Sequence, residues 1–292
     1  MRVVDMHCDT IAVLYADHRA GGTVSVLENN LMLDLKKMQA GDYGLQNFAL
    51  FTNLASIDEP PFEYCMKLLD TFYTELEAHR DLIGIVRSYA DIEENLRQGK
   101  MSALLTVEEG GVCQGELSFL RNFYRLGVRM MTLTWNHPNE LAFPNGRKAL
   151  EGGHYQAVPD TEHGLTETGI AFVEEMERLG MIIDVAHLND AGIRDVFLHT
   201  KKPFVASHSN ARAVCSHPRN LTDEMIRALS ERGGVMGINY YGGFLRDVPA
   251  GGEDVSRVAD MVAHMKHIRN VGGIQVIGLG SDFDGIGGDL EL

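Results

Sequence analysis

The sequence predicts an α/β protein folded as a (β/α)8 TIM barrel, on three observations. Eight short, continuously apolar runs recur along the 292 residues. Amphipathic helical patterns separate them, and several runs end in metal-ligand side chains. Short apolar strands joined through helices make a parallel sheet that is covered on both faces. Eight such units suit a barrel of this length, so residues 1–292 are expected to form a single domain. A doubly wound open sheet would carry a Gly-rich phosphate turn after its first strand, and this chain has none there.

In chain order the strands are expected at Val3 to Met6, Leu45 to Phe51, Ala103 to Val107, Met130 to Thr134, Ile182 to Ala186, Phe204 to Ala206, Val235 to Asn239 and Val276 to Gly280. Between the fourth and fifth, Ile170, Val173 and Met176 mark one helical face, which Gly180 ends. Leu221, Met225 and Leu229 trace another face behind an N-cap at Thr222, with Glu224 close behind. Val255, Val258, Met261, Met265 and Ile268 trace a third, stopped by Gly272-Gly273. His264 and His267 ride on that helix as solvent-facing or packing residues. The stretch from Pro138 to Gly164, rich in Gly, Pro, Asn and Asp, is expected to be a long loop over the active rim.

Composition narrows the partners. A formal net charge of −15 argues against nucleic acid and against anionic membrane surfaces. Four scattered cysteines without a CxxC pair fit reduced thiols and a cytoplasmic location. The polar pattern that begins at residue 7 leaves no room for a signal peptide, and no apolar run reaches membrane-spanning length.

A TIM barrel places its functional groups where strands end at the C-terminal face. The first run ends in His7-Cys8-Asp9, where i and i+2 point to one side of an extended backbone. An imidazole beside a carboxylate is a ligand pair for a divalent metal such as zinc. Cys8 points the other way, as a packing thiol. The third run ends at Glu108-Glu109, the fourth at Trp135-Asn136-His137 and the fifth at Asp184 to His187. The sixth ends at Ser207-His208-Ser209, the seventh at Asn239-Tyr240 and the eighth at Ser281-Asp282-Phe283-Asp284. Three histidines and three carboxylates on one rim form the pattern of a binuclear metal site.

The ordered strings VDMHCDT, TVEEGG, IIDVAHLND, ASHSNARAVCSHPRN and GLGSDFDG resemble those of the membrane (renal-type) dipeptidase family, and the likeness runs from the first residues to the last. The resemblance implies a metal-dependent, amidohydrolase-type barrel with two zinc ions (Zn2+) per chain. His7 and Asp9 would hold one ion, His187 and His208 the other, and a glutamate at the end of strand three would bridge them. Asp282 would handle the proton, and Arg219, in the His217-Pro218-Arg219-Asn220 loop, would bind the substrate's C-terminal carboxylate. Asp284 is given a structural role. The implied activity is hydrolysis of a small dipeptide with a free C-terminal carboxylate, with tolerance of a D-residue there. A related amidohydrolase, such as an N-acyl amino acid deacylase, and a catalytically silent metal-bound barrel are the alternatives.

The bridging residue is Glu108 by gap-free counting from Leu126-Gly127 and Glu109 by matching on Glu-Gly-Gly; strand alternation lets only one face the metals, and Glu108 is taken. After strand four the family carries a substrate-contacting His where this chain has Trp135, so His137, two residues on, is the candidate substrate-binding residue. The chain also stops shortly after strand eight, without the family's terminal helices. The flank of Val276, Ile277 and Leu279 is therefore expected to lie bare. Self-association through it, as a homodimer, or lower stability than a longer version would follow.

Overall fold

In the computed structural model, which describes residues 2–149, 155–247, 255–287 and 289–290, all eight expected runs become strands of one closed parallel barrel. The strands are β1 (Val3–Asp5), β2 (Tyr43–Phe51), β3 (Met101–Glu108), β4 (Met130–Thr132), β5 (Ile182–Asp184), β6 (Val205–Ala206), β7 (Val235–Ile238) and β8 (Ile277–Leu279). Each pairs with its successor, and β8 returns to β1 with Leu279 opposite Asp5. Phe48, Ala49 and Leu50 are all 0% exposed, so β2 is buried on both faces. That is why the strands read as continuous apolar runs and not as alternating ones.

Register brings the functional ends to one level. Phe51 stands opposite Glu108, Glu108 opposite Thr132, Thr132 opposite Asp184, and Asp184 opposite Val205. Polar residues just past these positions therefore converge over the barrel mouth.

The helices follow their capping signals. Thr222 caps the helix Asp223–Glu231 by accepting from Met225 N at 3.3 Å. Gly180, at φ +80°, ends Glu167–Leu179 in the left-handed region that favours glycine. The third helix runs Val258–Gly272, but Val255 lies outside it. Val255–Ser256 is a short strand paired with Asp289–Leu290, so the apolar spacing before Val258 is not helical. On that helix His264 is fully buried: it accepts from Ala211 N at 3.0 Å and its Nε2 lies 2.8 Å from Leu245 O. His267 lies 2.7 Å from Asp223 Oδ1.

Two elements depart from the expected pattern. Ile83–Val86 is a further strand, paired with the first half of β3. Within the rim segment expected as loop, Gly146–Ala149 and Tyr155–Val158 form an antiparallel pair, while residues 150–154 lie outside the described residues. Of the flank expected to lie bare, Val276 is fully buried against the helix Val258–Gly272, and Ile277 and Leu279 are half-buried. No helix among the described residues is long and apolar enough to cross a membrane.

Candidate active site

Glu108 stands at the centre of the rim. Its Oε2 lies 3.3 Å from His7 Nε2, and its Oε1 lies 3.0 Å from His187 Nε2 and 3.6 Å from His208 Nε2. Around His7, Asp9 Oδ2 is at 3.4 Å and Asp282 Oδ1 at 3.8 Å. The two Nε2 atoms of His187 and His208 are 2.9 Å apart. All six side chains are buried. His7, Glu108 and His208, and likewise His7, Asp9 and Asp282, each present donor atoms within 4.8 Å of one another.

These residues fit a metal centre on their own geometry. Both ring nitrogens of His7 and Oδ1 of Asp9 are buried without a hydrogen-bond partner among the described residues. Such a group ordinarily costs about 1–3 kcal/mol. Asp9 also occupies the N-cap position of the helix Thr10–Arg19 without accepting a capping bond, which leaves its carboxylate free. Imidazole nitrogens and carboxylate oxygens are the donor set that zinc takes. Gly285 makes room for the cluster, since a Cβ there would meet Asp9 Oδ2 at 2.0 Å and Asp282 Oδ1 at 2.8 Å.

Electrostatics match this packing of acids and bases. Burial, only partly offset by His7, pushes the Glu108 carboxyl up to about 7 and that of Asp282 up to about 6. Burial alone would pull His7 down, but the Glu108 and Asp9 carboxylates outweigh it and hold its ring well above the usual range. His187 and His208 go the other way, held well below it first by burial and then by Arg219 and His7. Both are therefore neutral, with lone pairs available.

Groups behind the cluster orient it. Asp184 accepts four hydrogen bonds: from Thr132 Oγ1 at 2.8 Å, Ser207 N at 2.8 Å, Ala186 N at 3.0 Å and the Ser207 hydroxyl. Because Ser207 gives its only proton to Asp184, it must accept from His208 Nδ1, 2.7 Å away. The His208 tautomer is thereby set with Nε2 bare and facing Glu108. Asn136 Oδ1 lies 3.1 Å from His187 Nδ1 and fixes that ring in the same sense. Asp5 repeats the arrangement across the β1–β8 seam, accepting from Ser281 N at 2.8 Å and Ser281 Oγ at 2.6 Å. Asn239 Nδ2 donates to Asp282 Oδ2 at 2.8 Å, which leaves Oδ1 toward His7. His187 and Asp282 adopt φ +67° and +64°, a conformation that costs a non-glycine residue about 1–3 kcal/mol and turns each side chain sharply over the barrel mouth.

The two readings of the glutamate pair separate here. Glu109, at φ +93°, turns away from the histidines; its Oε2 accepts from Trp135 N at 3.0 Å and its Oε1 from Gly111 N at 2.8 Å and from the Asn139 amide. The described residues that line the cleft include Trp135 and Asn136 but not His137, whose ring lies 5.8 Å from that of Trp135. The physical reason is that β4 stops at Thr132, so the i, i+2 alternation used to aim His137 does not extend into the bend that follows. Asp284 serves the loop framework, accepting from Thr10 Oγ1 at 2.6 Å and Met32 N at 2.7 Å.

The cleft has two lobes. One, of 290 Å³, joins Asp9, Glu108 and Asp282 to the aromatic rings of Phe51 and Trp135. The other, of 440 Å³, is lined by Arg147, Arg219 and His217, and the two lobes share Asn136, His187, Tyr241 and Phe244. Arg219 is buried, donating to Ser209 Oγ at 3.2 Å and His208 O at 3.1 Å, with Phe244's ring 5.4 Å from its guanidinium carbon. Its Nε has no partner among the described residues. Asn136, Asp184, Ser207 and Asn239 went without roles in the sequence reading, although each is a polar residue at or just past the end of an apolar run.

Comparison with known proteins identifies the family. The chain is 40% identical over 226 residues to an uncharacterised protein encoded in the pqqA 5′ region of Klebsiella pneumoniae, covering 75% of this chain and 80% of that one. It is 32% identical over 304 residues to an uncharacterised dipeptidase of Schizosaccharomyces pombe, covering 98% of this chain and 69% of the relative. Among solved structures, a metallopeptidase from Rhodobacter sphaeroides, liganded with a phosphinate mimic of the dipeptide L-Ala-D-Ala, superposes with a TM-score of 0.86. That match is at 27% identity and covers 99% of this chain and 88% of the other. The family model described as membrane dipeptidase, peptidase family M19, matches residues 1–291. This chain therefore belongs to the membrane dipeptidase family of metallopeptidases, peptidase family M19.

Proposed function

We propose that this protein is a zinc dipeptidase, holding two ions per chain and cleaving the single peptide bond of dipeptides with a free C-terminal carboxylate. Glu108 carries this reading, with one carboxylate oxygen 3.3 Å from His7 and the other 3.0 Å from His187. His7 and Asp9 would hold one ion, His187 and His208 the other, and Glu108 would be shared between them. The chemistry that zinc would supply there is a lowered pKa for water and polarisation of the peptide carbonyl. Asp282, kept in place by Asn239, accepts the proton of the attacking water and delivers it to the leaving amine. Arg219 receives the substrate carboxylate, for which a planar guanidinium is the matching fork. Burial of the cluster strengthens each of these charge interactions.

The Rhodobacter sphaeroides neighbour supports tolerance of a D-residue at the C-terminal position, since its ligand mimics L-Ala-D-Ala. The test is a panel of L,L- and L,D-dipeptides with their C-terminal amides, assayed on zinc-loaded protein. Hydrolysis of both dipeptide series and not of the amides is expected. Faster cleavage of N-acyl amino acids than of any dipeptide would contradict the reading.

A further inference from the structure

The Arg219 lobe of the cleft reverses the charge of the protein around it. The chain carries 41 acidic residues against 26 lysines and arginines. Yet the described residues that line this lobe include two arginines and no aspartate or glutamate. Arg219 rises from the barrel and is buried, whereas Arg147 reaches the lobe from the hairpin strand Gly146–Ala149 and is exposed. His217 adds no charge, because burial, Arg219 and Arg212 hold its ring down to about 4. The α-carboxylate of a dipeptide engages one guanidinium, Arg219. Arg147 is left over, with no ion pair or hydrogen bond of its side chain among the described residues.

We infer that Arg147 is a specificity residue, selecting dipeptides whose C-terminal residue bears an acidic side chain, aspartate or glutamate. The inference rests on the dipeptidase reading above. With the α-carboxylate on Arg219, the C-terminal side chain occupies the same 440 Å³ lobe, where Arg147 is the remaining formal charge among the described lining residues. A side-chain carboxylate gains a charge-assisted hydrogen bond there that its amide isostere lacks. Because Arg147 is exposed, solvent screening keeps the gain modest and makes it fall with added salt.

The test compares kcat/KM of zinc-loaded enzyme on two isosteric pairs, Ala-Asp against Ala-Asn and Ala-Glu against Ala-Gln. The acidic member of each pair is expected to be faster by roughly two- to fivefold at low salt. Arg147→Gln should bring both ratios to near one, and Arg147→Glu should invert them while raising the relative rate on Ala-Lys. Zinc content and Tm of both variants check that the exposed hairpin substitution leaves the barrel folded. Equal ratios in wild type and variants would overturn the role of Arg147 and leave the dipeptidase reading standing. No hydrolysis of any dipeptide by zinc-loaded wild type would overturn both.

Discussion

Ser207→Ala removes one oxygen and breaks the chain that runs from Asp184 through Ser207 to His208. In the native protein Asp184 accepts the Ser207 hydroxyl, and Ser207 in turn accepts His208 Nδ1 across 2.7 Å. Without that oxygen His208 Nδ1 is buried with nothing to bond, so the tautomer with a bare Nε2 is no longer favoured. Loss of such a partner behind a metal-bound histidine lowers metal affinity about 10–100-fold, or about 1.4–2.8 kcal/mol. Folding stability should fall by about 1–3 kcal/mol, the cost of an unsatisfied buried group. The Ser207 amide still donates to Asp184 at 2.8 Å, so the β5–β6 connection survives. Ser281→Ala is the control, because Ser281 makes the same kind of bond to Asp5 with no histidine ring behind it. Chelator competition, read as zinc retained per chain, should show weaker binding for Ser207→Ala and near-native binding for Ser281→Ala. If Ser207→Ala holds zinc as tightly as wild type, or Ser281→Ala loses as much, the oriented tautomer is not what matters.

Other consequences are equally open to measurement. Asp282→Asn should keep KM and lose kcat by roughly 10²–10⁴-fold, the usual weight of general acid–base help; a selective rise in KM would point to a binding role instead. Arg219→Ala should weaken dipeptides strongly while barely changing whatever slow cleavage C-terminal amides show, and equal loss on both would make it structural. Zinc uptake by metal-free protein should release protons at pH 6, because Glu108 at about 7 is then largely protonated and Asp282 at about 6 is half protonated. Binding needs the carboxylates, so affinity should climb as pH rises from about 5 to 8. A pH-independent affinity measured by calorimetry in two buffers would contradict that protonation pattern.

Much of the site was legible because strand geometry is simple. His7 and Asp9 are readable from i, i+2 spacing at the end of an apolar run, and His7 lies 3.4 Å from Asp9 and 3.3 Å from Glu108. The glutamate pair was readable down to one alternation, which the structure separates by turning Glu109 toward Asn139 and Trp135 N. His137 stands in the bend after β4, which stops at Thr132, and is not among the described residues that line the cleft. Ile83–Val86 carries little strand signal in the sequence because Gly84 interrupts its apolar side chains. That glycine is required by packing, since a Cβ there would stand 2.1 Å from Asn95 Oδ1. Arg147 could not be placed from sequence, because its position depends on how a hairpin far from any apolar run folds across the rim. Asp184 and Ser207 meet only through the β5–β6 pairing, a contact between residues 23 apart in the chain.

Metal stoichiometry in three proteins tests the central role of Glu108 most directly. Wild type, Glu108→Gln and Glu109→Gln are to be loaded with zinc, freed of excess and analysed for metal per chain. Two equivalents in wild type and in Glu109→Gln, with loss of metal confined to Glu108→Gln, is the expected result. One equivalent in wild type, or loss at Glu109 with Glu108→Gln intact, would contradict a carboxylate shared between two ions.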